Sequence, residues 1–175
     1  FKLNCERYKK PAKQVFLPLN SLNLKFIMNM LKQSKNIIIT KPQKLDCGKE
    51  ITNFSISYET YGKLNEKKNN AILVFHALTG DQFASGKNPF TNKDGWWSYA
   101  LGSGKAIDTE KFFVICANVI GGCMGSYGPN TTNEKTSKPI GTNFPVITIN
   151  DMVNAQYNLL EHFEIDKLFA VIGGS

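Results

Sequence analysis

Two kinds of apolar pattern alternate along the chain from about residue 36 onward, separated by stretches rich in turn-forming residues. Residues 54–60 (F-S-I-S-Y-E-T) set Phe54, Ile56 and Tyr58 against Ser55, Ser57 and Glu59, the period of two that buries one face of a strand and leaves the other half exposed. Residues 36–40 (N-I-I-I-T) read as a companion strand of the same antiparallel kind. By contrast, 71–75 (A-I-L-V-F), 112–117 (F-F-V-I-C-A) and 168–172 (L-F-A-V-I) are apolar without alternation. That pattern predicts strands covered on both faces, and three of them predict a parallel sheet. Between the second and third, residues 149–163 carry Met152, Val153, Gln156, Tyr157, Leu160 and Phe163 on one helical stripe expected to lie on the sheet. Thr148 and Asp151 ahead of it form a T-x-x-D capping box. Helix followed by buried strand is an α/β unit with right-handed crossovers, and such sheets put their ligand sites at the carboxyl ends of strands.

Composition changes this picture mainly at the N-terminus. At 175 residues, 42% hydrophobic and 20% charged, the chain has the size and balance of one folded domain or part of one. Its formal charge is +7, but residues 1–44 hold ten Lys/Arg against Glu6 alone, a net of +9, which leaves −2 on the rest. A body with that balance offers no basic face to a phosphate backbone, so nucleic acid is not an expected partner. Residues 1–35, with scattered hydrophobes, two prolines and no sustained period, read as a basic disordered segment ahead of a folded part at 36–175. The longest apolar runs fall far short of the ~20 residues that cross a bilayer, and the N-terminus has no apolar run ending in a small-residue cleavage site. Cys5, Cys47, Cys116 and Cys123 make no C-x-x-C pair and lack histidines at ligand spacing. A cytoplasmic protein with no metal site and no membrane contact is the expectation.

The three strand ends carry the candidate chemistry. After 71–75 comes H-A-L-T-G-D (76–81), where small and polar residues can turn backbone N–H groups toward an anion and Gly80 permits an unusual φ. Either an oxyanion loop or an ordinary turn with His76 as a satisfied core histidine fits. After 112–117 comes N-V-I-G-G-C-M-G-S-Y-G-P (118–129), whose four glycines let the backbone approach a ligand or another chain segment closely. It lacks the Lys-Ser/Thr of a phosphate loop, and Cys123, with no histidine evidently paired to it, is expected to be a packed thiol. After 168–172 the chain reads Gly173-Gly174-Ser175, which matches the first half of a G-x-S-x-G nucleophile elbow or a plain turn.

Taken together, S-Y-E-T-Y-G-K-L-N (57–65), H-A-L-T-G-D (76–81), G-W-W (95–97), G-K-A-I-D-T (104–109), F-V-I-C-A-N-V-I-G-G-C-M-G-S-Y-G-P (113–129), F-P-V-I-T-I-N-D-M-V (144–153), A-Q-Y-N-L-L (155–160) and V-I-G-G-S (171–175) resemble the homoserine O-acetyltransferase family. Ordered blocks over residues 36–175 are far more specific than any one motif. The resemblance implies an α/β fold, the N-terminal part of an α/β-hydrolase with a mostly parallel sheet and antiparallel first strands, truncated at the nucleophile elbow. It implies ping-pong transfer of an acetyl group from acetyl-CoA, a co-substrate rather than a bound cofactor, to L-homoserine in methionine biosynthesis. Ser175 would be the nucleophile, the Leu78 N–H an oxyanion donor, and Thr79 and Gly80 substrate-binding residues. Triad order in this fold is Ser, Asp/Glu, His, so the acid and base are expected beyond Ser175 and this chain alone is expected to be inactive. His76 and His162 are poor substitutes, the latter expected to face solvent. The resemblance also implies a homodimer for the full-length protein. Alternatives are a succinyl donor, L-serine or water as acceptor, or a non-catalytic binding module.

Overall fold

The structure is a computed structural model that describes residues 34–174. Ser175, Cys5 and nearly all of the basic segment expected at 1–35 lie outside the described residues. Five strands form the main sheet: β1 (Lys35–Ile39), β2 (Phe54–Tyr61), β3 (Ala71–Phe75), β4 (Phe113–Ala117) and β5 (Ala170–Gly173). Their spatial order is β1-β2-β4-β3-β5. β1 and β2 pair antiparallel, with Lys35 opposite Tyr58 and Ile39 opposite Phe54, and β2 runs antiparallel to β4. β4, β3 and β5 are mutually parallel, as their unbroken apolar runs predict.

Alternation along β3 and β4 divides the core into two layers. Ala71 and Leu73, with Phe113, Ile115 and Ala117, face one side, where they meet the buried side chains of helix α1 (Ile149–His162). Ile72, Val74, Val114 and Cys116 face the other, where they are covered by Ala84, Leu101, Ile107 and the Trp96–Trp97 pair from the long 76–112 connection. One side of the sheet is thus roofed by a helix and the other by irregular chain.

The capping box of α1 is present in both halves. Thr148 accepts from the Asp151 N–H at 3.2 Å, and the Asp151 carboxylate accepts from the Thr148 N–H at 2.9 Å. The same carboxylate, fully buried, also accepts from the Asp46 N–H at 3.0 Å and so ties the turn before β2 to the helix. The buried face runs through Asp151, Ala155 and Leu159, flanked by Gln156 and Leu160. It is rotated by about one residue from the predicted stripe, and Val153 and Tyr157 are exposed. A pattern that scores carboxylates as outward and alanine as neutral misses a face centred on a capping carboxylate and a small residue.

β5 departs from the expectation of burial on both faces. It is the edge strand among the described residues, and Val171 and the preceding Phe169 are about 60% exposed, at 59% and 61%. Among the described residues β3 is its one strand partner, while Ala170 and Ile172 pack against the layer that holds Trp96 and Trp97.

Candidate active site

The chain leaves β3 through His76 into a tight turn in which the Gly80 N–H donates to the Ala77 carbonyl at 2.7 Å. Leu78 and Thr79 form the tip of this turn, and the Leu78 side chain is 75% exposed. Among the described residues the Leu78 N–H donates to no protein group. Gly80 does not adopt the left-handed φ anticipated for it; its small size matters instead. A Cβ there would stand 3.1 Å from the Ala77 oxygen and 3.1 Å from the His76 Cβ.

His76 is buried and fully engaged. Its Nε2 faces two donors, the Val119 N–H at 3.3 Å and the Asn118 side-chain nitrogen at 3.4 Å, so Nε2 accepts. The ring proton therefore sits on Nδ1, which donates to the Ala77 carbonyl at 2.6 Å. The side chain is thus a satisfied buried histidine, an arrangement compatible with either reading of the 76–81 loop. It leaves neither ring nitrogen free for proton transfer.

Beside the turn lies a cleft of about 500 Å³ at the carboxyl ends of β3 and β5. Ala77, Thr79 and Gly80 form one wall, Trp96 and Trp97 another, and Gly174 a third. Thr79, Gly80 and the residue preceding Ser175 are thus brought to one cavity. A Cβ on Gly174 would touch the Trp97 ring at 3.2 Å. The floor is held by Asp81, whose carboxylate accepts from the Phe83 N–H and the Asn88 amide, both at 2.9 Å, and whose carbonyl accepts from Trp96 Nε1–H at 3.0 Å. Below it, Tyr61 Oη donates to the Gln82 carbonyl and accepts from the Ser85 N–H, both at 3.2 Å, and burial pushes its phenol well above the ordinary range. Among the described residues, no Lys or Arg lines this cleft. Its Trp-lined wall suits an uncharged group better than a phosphate, and Leu78 itself is not among the residues that line it.

Sequence reading missed Trp96, Trp97 and Asp81 as wall and floor. A Trp pair in an otherwise polar K-D-G-W-W-S stretch was the available signal, together with Gly95, where a Cβ would stand 2.5 Å from the Ser85 nitrogen.

The glycine-rich loop after β4 is spent on the protein itself. Ser126 Oγ donates to the Asn118 carbonyl at 2.6 Å and accepts from the Ser57 N–H, the Tyr127 N–H donates to the Ser55 carbonyl, and the Gly121 N–H donates to the Tyr127 carbonyl. Gly125 sits against Ser57 and Gly128 against the Gly122 carbonyl, leaving no room for a Cβ. Cys123 is exposed, not packed, because its neighbours Gly122 and Met124 face Asn118 and turn it outward. Cys116 is the buried thiol, and burial pushes its ionisation up out of range. His162 is exposed, as expected.

No protein-family model matches the chain. A protein from Pelagibacter ubique (strain HTCC1062) named homoserine O-acetyltransferase is 73% identical over 148 residues, 85% of this chain and 40% of that protein. Most of this chain is homologous to homoserine O-acetyltransferases. A second, from Mesorhizobium japonicum, is 59% identical over 135 residues, 77% of this chain and 35% of its own length. Among solved structures, homoserine O-acetyltransferase from Bacillus anthracis superposes with a TM-score of 0.74 at 33% identity, covering 82% of this chain and 40% of that one. Esterase E22 gives the same TM-score at 38% identity with the same coverage. The fold is part of an α/β-hydrolase. The chain spans about 40% or less of the length of these curated relatives. No helix among the described residues is long and apolar enough to cross a membrane.

Proposed function

We propose that this chain supplies the nucleophile, the oxyanion loop and part of the substrate cleft of a cytoplasmic homoserine O-acetyltransferase, with residues 36–175 as an incomplete domain of a longer, homodimeric protein. The observation that carries the reading is the 73% identity with the Pelagibacter protein across most of the chain. Supporting it is the junction of the Ala77–Gly80 turn with Gly174, one residue before Ser175.

In this reading Ser175 Oγ attacks the thioester carbonyl of acetyl-CoA and gives its proton to the triad histidine, which follows it in the longer chain. The carbonyl oxygen becomes an oxyanion that accepts from the Leu78 N–H and from the N–H after the nucleophile. Collapse breaks the C–S bond, and the histidine protonates the departing thiolate. The homoserine hydroxyl then attacks the acetyl-serine ester and loses its proton to the same histidine; collapse of this second intermediate breaks the acetyl–Oγ bond, the histidine returns the proton to Ser175 Oγ, and O-acetyl-L-homoserine leaves. Thr79 and Gly80, lining the cleft, contact the substrates. Acetyl-CoA and L-homoserine are the partners, and the product serves methionine biosynthesis.

A second reading, with water as acceptor, draws on the structural similarity to esterases. Thiol release from acetyl-CoA by the full protein, with and without L-homoserine, separates the two. Release that depends on homoserine, yields the acetyl ester and is lost in Ser175→Ala supports transfer; equal release without homoserine supports hydrolysis. Succinyl-CoA and L-serine in the same assay test the related donor and acceptor.

A further inference from the structure

We propose that His76 is a positioning residue for the oxyanion donor, acting through the peptide plane between Ala77 and Leu78. The inference rests on the acyltransfer reading given above and adds the residue that aims its donor. The Ala77 carbonyl has two lone pairs, and both are occupied: His76 Nδ1–H donates at 2.6 Å and the Gly80 N–H at 2.7 Å. A peptide unit is planar, and in its trans form the C=O and the following N–H point in opposite directions. Pinning the Ala77 oxygen on the imidazole side therefore turns the Leu78 N–H to the side away from the ring, where no described protein group takes it.

The ring cannot drift, because its other end is anchored in the loop after β4 by the Val119 N–H and the Asn118 amide. Asn118 is itself held: its backbone N–H donates to the Ser57 carbonyl at 2.8 Å and its Oδ1 accepts from the Met124 N–H at 3.3 Å. A chain of hydrogen bonds thus runs from β2 through Asn118 and His76 to the turn, and orients one backbone donor without touching substrate. Gly80 closes around it, since any side chain there would press on the Ala77 oxygen and on Nδ1. Preorganisation of this kind matters because the donor must be aimed before charge develops.

Two isosteric replacements separate the ends of the ring. Asn places an amide N–H where Nδ1–H stands and loses the Val119 contact. Gln reaches the Nε2 position, keeps an acceptor for the Val119 N–H and loses the bond to Ala77. In the full protein, His76→Asn is expected to retain kcat for acetyl transfer within about threefold, and His76→Gln to lose about 10- to 100-fold, with the KM for acetyl-CoA little changed in both. The reverse order, or equal kcat in the two variants, overturns the proposal and leaves His76 as an anchor for the loop after β4. Ser175→Ala is measured in parallel. Undiminished activity there sinks the acyltransfer reading itself, whereas an inactive Ser175→Ala beside indistinguishable Asn and Gln variants sinks only the role of His76. Thermal melts of the two variants keep the comparison valid if one folds less well, because a positioning role predicts that kcat follows the Ala77 bond and not the melting temperature.

Discussion

The loops that leave β3 and β4 both begin at the carboxyl end of a parallel strand and both contain glycine, yet they use it in opposite ways. In 118–128 glycine lets the chain fold onto itself: Gly125 meets Ser57, Gly128 meets the Gly122 carbonyl, and the N–H groups of Gly121 and Tyr127 are taken by protein carbonyls. In 76–81 a single glycine closes a turn and leaves the Leu78 N–H without a protein partner among the described residues. Glycine content alone does not mark a ligand site. What sets the 76–81 loop apart is a backbone donor that the described residues leave unconsumed.

The comparison breaks most visibly at Gly128. Gly128→Ala forces a Cβ into the Gly122 carbonyl and should cost more than about 3 kcal/mol, read as a large drop in melting temperature or loss of soluble protein. A variant that melts like the parent would mean the loop after β4 is not packed as described. Leu78→Pro should act on catalysis instead. Leu78 is the second residue of the turn, a position proline favours, so the turn survives while its N–H is deleted. About a 100-fold loss in kcat with a melting point close to the parent is expected in the full protein, and unaltered kcat would remove Leu78 from the oxyanion hole. Gly80→Ala falls between: its contacts are at 3.1 Å and give by small shifts, so about 1 kcal/mol of stability and about tenfold in kcat are expected. Leu78→Ala is the smallest, with under about 0.5 kcal/mol change in denaturant midpoint, since the exposed side chain packs on little.

Much of the scaffold was legible from the chain. The solid run 71–75 is β3 to the residue, alternation at 54–60 marks β2, and T-x-x-D marks the start of α1, because each depends on neighbours within a few residues. What failed depends on distant partners. Asp151 is buried because Asp46 and Thr148 supply its donors, and Val171 is exposed because, among the described residues, β3 alone pairs with its strand. Cys123 faces out because the adjacent residues face Asn118. In the candidate site, Thr79 and Gly80 do line a cleft, but its Trp96–Trp97 wall and Asp81 floor come from a connection with no period to read. The clamp on Ala77 was beyond sequence altogether, since it joins the ends of two strands 43 residues apart at Val119 and His76.

The most direct test of the account is peptide mapping by mass spectrometry after the full protein is mixed with acetyl-CoA in the absence of homoserine. An acetyl adduct on Ser175 that disappears when L-homoserine is added, with O-acetyl-L-homoserine appearing in step, is the expected result. Acetylated homoserine formed with no adduct at Ser175, or with the adduct on another residue, would contradict it.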